Sequence, residues 1–243
     1  MKKNLFFAAL LCSATFISCS SDDTSERLNE TTAKYIKTMT VVDTENGTNE
    51  TVTVNYDANG RVSNVTDGTD SSTMVYNDNN QLTAVTGESE PFSMSELYQA
   101  PYDAYEIGDV TEYDTNGNPI KLRLFDRDDN GMIAEEYVSE ITYDSQINPF
   151  LHTMEKAGFL QVLENISLNF SAVPTAQELI AAKQLLWVNN PKRFVVKKLS
   201  GEIVEEAVAN YVYNADGYPT SATFTSTNGD GISVASATYT YQP

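Results

Sequence analysis

The sequence predicts an all-β protein: an antiparallel meander, curled or closed to an open barrel, with one helix packed against it. Three observations carry the prediction. Short alternating polar and apolar segments recur after residue 34. A Tyr-Asp/Asn unit with a following Gly or Asn punctuates them. One apolar stretch, Thr175 to Val188, instead follows a helical period between Pro174 and Pro191.

The first strands flank Asp57-Ala58-Asn59-Gly60, where Val52 and Val54 alternate with Thr51, Thr53 and Asn55 before Tyr56. The unit returns at Tyr76-Asn77, Tyr113-Asp114 and Tyr213-Asn214, with a relative at Tyr143-Asp144 leading into Asn148-Pro149-Phe150. The Tyr closes a strand, the Asp or Asn accepts turn N–H groups, and Gly supplies positive φ. Each copy therefore predicts a hairpin, and the series predicts about ten to twelve strands. In the last strand Ala235, Ala237, Tyr239 and Tyr241 share the face expected in the core. Val234, Ser236, Thr238 and Thr240 share the face expected in solvent. Lys192, Arg193, Lys197 and Lys198 around Phe194 to Val196 fit an exposed edge strand, with a basic docking patch as the rival reading.

Two segments break the rhythm, at about 87–108 and about 145–190. The second holds the expected helix, in which Leu179, Ala182 and Leu186 recur at three and four residues and Trp187 packs beside them.

The N-terminus reads as an address. Lys2 and Lys3 precede an apolar run from Leu5 to Ile17, too short for a membrane span of about 20 residues. Ser18 then precedes Cys19. The segment resembles a bacterial lipoprotein signal, which implies removal of residues 1–18 and diacylation of Cys19, with palmitate-type chains anchoring it in the outer membrane. Cleavage near Ser13–Ala14 with ordinary secretion is the alternative. Ser20-Ser21-Asp22-Asp23 resembles the export signal of Bacteroidetes surface lipoproteins and implies display at the cell surface rather than the periplasmic face. Residues 19–33 then act as a tether, and 34–243 as a single meander domain.

The spaced Tyr-Asp-x-Asn-Gly units resemble the tyrosine–aspartate repeats of bacterial surface proteins. With the leader, they resemble Bacteroidetes lipoproteins of unknown function, some of them porin-like in fold. The intervals between Tyr56, Tyr76, Tyr113, Tyr143 and Tyr213 are uneven, which favours a meander with insertions over a regular solenoid.

Composition narrows the function. The chain has 243 residues, with 15 Lys+Arg against 34 Asp+Glu and a net charge of −19. That balance repels phosphate backbones and argues against nucleic acid as a partner. Loss of residues 1–18 removes Cys12, and lipid would consume Cys19, leaving no thiol for nucleophilic, redox or zinc chemistry. The single histidine, His152, reads as a surface or loop residue without a nucleophile motif nearby. No phosphate loop or dinucleotide fingerprint occurs. The expectation is a non-catalytic envelope lipoprotein that binds a glycan or an envelope protein. A structural or assembly lipoprotein without a small ligand is the alternative, and a glycoside hydrolase comes after both.

Two sets of residues stand out. Asp126, Asp128 and Asn130, followed by Gly131, place oxygen ligands at positions 1, 3 and 5 of a calcium loop, although Tyr137 stands where a bidentate Glu belongs. An ordinary hairpin turn is the other reading. Phe92, Tyr98, Tyr102 and Tyr105 gather in the first insertion, where binding aromatics belong. No other cofactor is expected.

Overall fold

The computed structural model describes residues 33–43, 47–87, 92–98, 101–104, 108–128, 132–170 and 178–242. The leader, Cys19 and most of the tether lie outside these residues.

Among the described residues a 13-stranded antiparallel sheet dominates, and it is built from the middle outwards. β1 (Ile36–Asp43), β2 (Thr48–Tyr56), β3 (Val62–Thr66), β4 (Ser71–Tyr76), β5 (Leu82–Thr86) and β6 (Phe92–Ser93) step towards one edge. A crossover holding a short helix, Met94–Leu97, and β7 (Tyr102–Asp103) carries the chain to the opposite edge. From there β8 (Asp109–Tyr113), β9 (Pro119–Arg127) and β10 (Ile133–Ile147) step back inwards. An insert intervenes: two helices (Pro149–Lys156 and Phe159–Asn165), β11 (Ser167–Asn169), β12 (Leu179–Ala181) and a 3₁₀ turn (Ala182–Leu185). The walk ends with β13 (Asn189–Lys198), β14 (Ile203–Tyr213), β15 (Pro219–Asn228) and β16 (Gly231–Tyr241), and β16 pairs with β1.

The crossover forces the sheet to curl. Twelve strand intervals of about 4.8 Å would hold the edges of a flat sheet about 58 Å apart. Residues 94–108 cannot span that gap, since four of them are helical and the rest extend at most about 3.4 Å each. The edges must therefore approach one another, yet β6 and β8 do not pair, so the sheet stays open. The count exceeds the ten to twelve strands expected. The excess comes from two-residue β6 and from β7, β11 and β12, which make a separate three-stranded sheet.

The turns have the expected chemistry in four copies. Asp57, Asn77, Asp114 and Asn214 each accept the N–H groups two and four residues on, at 2.8–3.0 Å. The residue three on is left-handed: Gly60 at φ 76°, Asn80 at 61°, Gly117 at 86° and Gly217 at 81°. Gly meets that demand without strain, and Asn is among the side chains that best tolerate it. The Tyr143 copy differs, because β10 runs on to Ile147 and a helix follows.

The tyrosines do more than close strands. Each of several donates its hydroxyl to the carbonyl that opens the neighbouring strand: Tyr56 to Ile36 (2.6 Å), Tyr76 to Val62 (2.6 Å), Tyr143 to Pro119 (2.8 Å) and Tyr241 to Pro219 (2.6 Å). These carbonyls lie at the sheet's rim, where the ladder lends no partner.

The insert helices fill the concave face. Leu151, Val162, Leu163 and Ile166 pack with Leu82, Met94, Ala182 and Leu186. Phe150 meets Tyr239 edge-on at 6.3 Å, over a floor of Ala209, Ala222 and Ala237. Small residues there let the helices approach the sheet closely. Ala235, Ala237 and Tyr239 are buried while Val234 is exposed, as the alternation predicts.

The expected helix at Thr175–Val188 is corrected: within its described part, 178–188, β12 and the 3₁₀ turn stand instead. Its stripe fails because Leu179 faces solvent while Ala182 and Leu186 are buried. Ile180 pairs with Leu168, so β11 supplies the backbone bonds that a helix would have made. The helix forms earlier, where Pro149 takes the first helical position and the Asn148 side chain caps the Phe150 N–H at 3.1 Å.

Candidate functional site

The crossover carries the aromatic candidates. The small helix is anchored by buried Met94, and Glu96 accepts the Ser93 N–H at 3.4 Å. Tyr98 follows it. Tyr102 lies in β7, which pairs in parallel with Leu168 of β11. Buried Asn169 fastens this corner: its carbonyl accepts Ala104 N–H (2.7 Å), its amide donates to Asp103 (3.1 Å), and its side-chain oxygen accepts Glu178 N–H (3.3 Å). At the end of the crossover Gly108 sits at φ 123°, and a Cβ there would lie 1.8 Å from the Arg123 carbonyl oxygen.

Tyr98 and Tyr102 remain 42% and 43% exposed, and neither hydroxyl has a hydrogen-bond partner among the described residues. They differ in this from the rim tyrosines. Phe92 contributes its backbone to β6 opposite Val85, while its side chain and all of Tyr105 lie outside the described residues.

At the calcium candidate, Asp126 is exposed on β9, paired with Glu135. Asp128 Oδ1 accepts Met132 N–H at 2.9 Å, the same capping bond as in the other turns. Asn130 lies outside the described residues. Among those residues no three His, Cys, Asp or Glu side chains are grouped to hold a metal.

Two further expectations are corrected. His152 is not a surface residue: it is 2% exposed, on the first insert helix, with its ring 6.4 Å from that of Tyr35 and 6.1 Å from that of Tyr218. Helix packing buries it, because Asn148-Pro149 starts a helix where the sequence suggested a turn. β13 is not an edge strand, since it lies between β10 and β14. Its bases meet acids: Lys197 with Glu140 (2.5 Å), Arg193 with Glu206 (2.5 Å) and Lys198 with Glu202 (3.1 Å). Trp187 packs edge-on against Tyr143 at 6.4 Å, as a structural residue.

The sheet also carries two polar residues that the sequence did not single out, Ser139 and Glu205, which flank the buried Val196 on adjacent strands. Ser139 is fully buried, and its hydroxyl has no hydrogen-bond partner among the described residues. Burial pushes the Glu205 carboxyl above its usual range, and the Ser226 hydroxyl, donating at 3.4 Å, pulls the other way.

A second unforeseen feature lies at the rim away from the helices. Met132, Leu199 and Ile232 stand 67%, 67% and 63% exposed at three successive hairpin tips, with Ile133 and Ile203 beside them. The signal was present in the sequence, as an apolar residue inside or beside each turn: Gly131-Met132, Leu199-Ser200-Gly201, Gly231-Ile232. No helix among the described residues is long and apolar enough to cross a membrane.

No protein-family model matches the chain, and no curated protein does. Among solved structures, a porin-like protein of Bacteroides uniformis aligns at 14% identity over 85% of this chain and 98% of that chain, with a TM-score of 0.40. A porin-like protein of Bacteroides vulgatus aligns at 10% identity over 86% and 99%, at 0.41. A lipoprotein-sorting domain of Vibrio parahaemolyticus, described as outer-membrane, aligns at 11% identity over 87% and 86%, at 0.26. Superpositions this loose assign neither family nor function.

Proposed function

We propose that this chain is a non-catalytic, lipid-anchored envelope protein of the outer-membrane surface, which binds carbohydrate on the Tyr98–Tyr102 face. The observation that carries the reading is the contrast among tyrosines. The rim tyrosines spend their hydroxyls on carbonyls, while Tyr98 and Tyr102 stay 42% and 43% exposed with no hydroxyl partner among the described residues, Tyr102 next to the corner that Asn169 fastens. A rigid aromatic ring offers contact area at little entropic cost. The leader and Cys19 supply the anchoring part of the reading.

The test presents the purified full-length chain to a panel of soluble glycans. Tyr98→Ala combined with Tyr102→Ala should weaken any binding at least about tenfold, which is about 1.4 kcal/mol. Binding that survives the double variant unchanged would remove this face from consideration. Binding of envelope proteins instead of glycans would keep the face and change the ligand class.

A further inference from the structure

Asn-Gly pairs occur at 46–47, 59–60, 116–117, 130–131 and 228–229. The pair is chemically weak, because the glycine amide nitrogen has no Cβ to shield it and can attack the asparagine side-chain carbonyl. In a folded chain the attack needs a free nitrogen and a side chain lying forward over the peptide. Asn46 and Asn130 lie outside the described residues, which leaves three pairs to compare. Asn59 and Asn116 lack the free nitrogen. The Gly60 N–H donates to the Asp57 carbonyl at 3.0 Å, and the Gly117 N–H donates to the Asp114 carbonyl at 3.1 Å. Asn116 is also held aside, since its Nδ2 donates to Asn189 Oδ1 at 3.1 Å. Asn228 meets both conditions. It pairs with Gly231 across the tip of the β15–β16 hairpin and is exposed together with Gly229 and Asp230. The Gly229 N–H has no hydrogen-bond partner among the described residues. Asn228 Oδ1 accepts the Asp230 N–H at 2.9 Å, which folds the amide forward over the Gly229 peptide and polarises its carbonyl carbon. The same forward bond joins Asn77 to the Asn79 N–H and Asn214 to the Asp216 N–H. There the next residue is Asp78 or Ala215, whose Cβ hinders the approach. Among the described residues, glycine, free nitrogen and forward amide coincide at Asn228 alone.

From this we propose that Asn228 is a site of spontaneous covalent modification in the folded protein, by deamidation and isoaspartate formation. The Gly229 nitrogen gives up its proton and bonds to Asn228 Cγ. The Cγ–Nδ2 bond breaks, Nδ2 takes up a proton and leaves as ammonia, and a cyclic succinimide remains. Water then adds at one of the ring's carbonyls and opens it. One opening leaves an ordinary aspartate. The other leaves isoaspartate, whose main chain runs through the former side chain and is one carbon longer. Either product adds a negative charge beside Asp230. The longer one breaks the register of Asn228 with Gly231, at the hairpin that leads into β16, the strand joining β15 to β1.

The test incubates the folded full-length chain at mildly alkaline pH and follows each asparagine by peptide mass mapping. Each hydrogen bond that must open before attack slows it about fivefold, so Asn228 should convert about fivefold faster than Asn59 and about thirtyfold faster than Asn116. In denaturant, where those bonds are gone, the three rates should converge. Gly229→Ala, with its circular dichroism unchanged, should slow conversion at 228 to the rate of Asn214 before Ala215. An isoaspartyl methyltransferase should label the 228 peptide of the incubated parent and leave that of Gly229→Ala unlabelled. Asn59 or Asn116 converting as fast as Asn228 in the folded chain overturns the proposal. A spread of rates that survives denaturation overturns it as well, since sequence and not fold would then set the order.

Discussion

Replacing Asn118 with Ala should be among the most damaging single polar substitutions in this protein. Asn118 is 0% exposed and uses its whole hydrogen-bonding capacity. Its Nδ2 donates to Asp114 Oδ2 (2.9 Å) and to Asn189 Oδ1 (2.8 Å). Its Oδ1 accepts Val188 N–H (2.7 Å) and Asn189 N–H (3.1 Å). The side chain thus welds the β8–β9 turn to the point where the insert re-enters the sheet. Alanine would strand two backbone N–H groups and strip a partner from two oxygens, in a space too tight for easy rehydration. A lost bond of this kind costs about 1 kcal/mol net, more where a buried group is left unpaired. With partial relaxation the total should fall at about 3–5 kcal/mol. At about 2–4 °C per kcal/mol for this size, the melting midpoint should drop by about 6–20 °C. Denaturant titration gives the first number and calorimetry the second. Hydrogen exchange at the Val188 and Asn189 amides locates the damage, and both should lose protection. A variant within 1 kcal/mol of the parent, with those amides still protected, would refute the claim that this side chain holds the turn to the insert.

Tyr76→Phe should cost about 1–2 kcal/mol by leaving the Val62 carbonyl without its 2.6 Å donor, whereas Tyr102→Phe should change stability by less than about 0.5 kcal/mol in the same denaturant titration. Gly108→Ala joins a clash with the Arg123 carbonyl to a left-handed φ of 123°, and should cost more than about 3 kcal/mol or prevent soluble expression. Burial raises the folded-state pKa of Glu205, so the folded chain binds its proton more tightly than the unfolded one. Stability should therefore fall as pH rises from the usual Glu range through the raised value. Glu205→Gln should flatten that slope and stabilise at neutral pH, as read from melting against pH. Asp128 already caps a turn, so millimolar calcium and chelator should leave the melting midpoint unchanged. A rise of about 3–5 °C, reversed by chelator and abolished by Asp126→Asn with Asp128→Asn, would instead mark a bound ion.

Local chemistry was legible in the sequence and long-range choice was not. A turn needs an acceptor at one position and positive φ three residues on, and Asp57…Gly60 or Asn214…Gly217 displays both within five residues. Strand alternation at Ala235–Tyr241 is equally local. The helix was misplaced because Leu179, Ala182 and Leu186 repeat at helical spacing, yet their backbone was taken by β11, a partner that spacing does not encode. Asn148-Pro149 carried the correct helix start but was read through its likeness to the neighbouring turns. The burial of His152 followed from that error. At the aromatic candidate, β7 with Tyr102 is held by Asn169 reaching Asp103 from 66 residues away, and nothing near Tyr102 announces it.

The pairing of β1 with β16 at the centre of the sheet has a consequence in time. Thr38 and Thr240 share a hydrogen bond across 202 residues, so the seam that joins the two halves cannot form until nearly the whole chain has left the ribosome. Until then β1–β6 and β8–β15 lack the strand that joins them in one sheet, and each has an open strand edge. Contacts of such long sequence separation slow folding. For the same reason, loss of residues 231–241 would not trim a border but would remove the strand that joins β1 to β15, leaving the insert helices as the link between the two halves of the sheet.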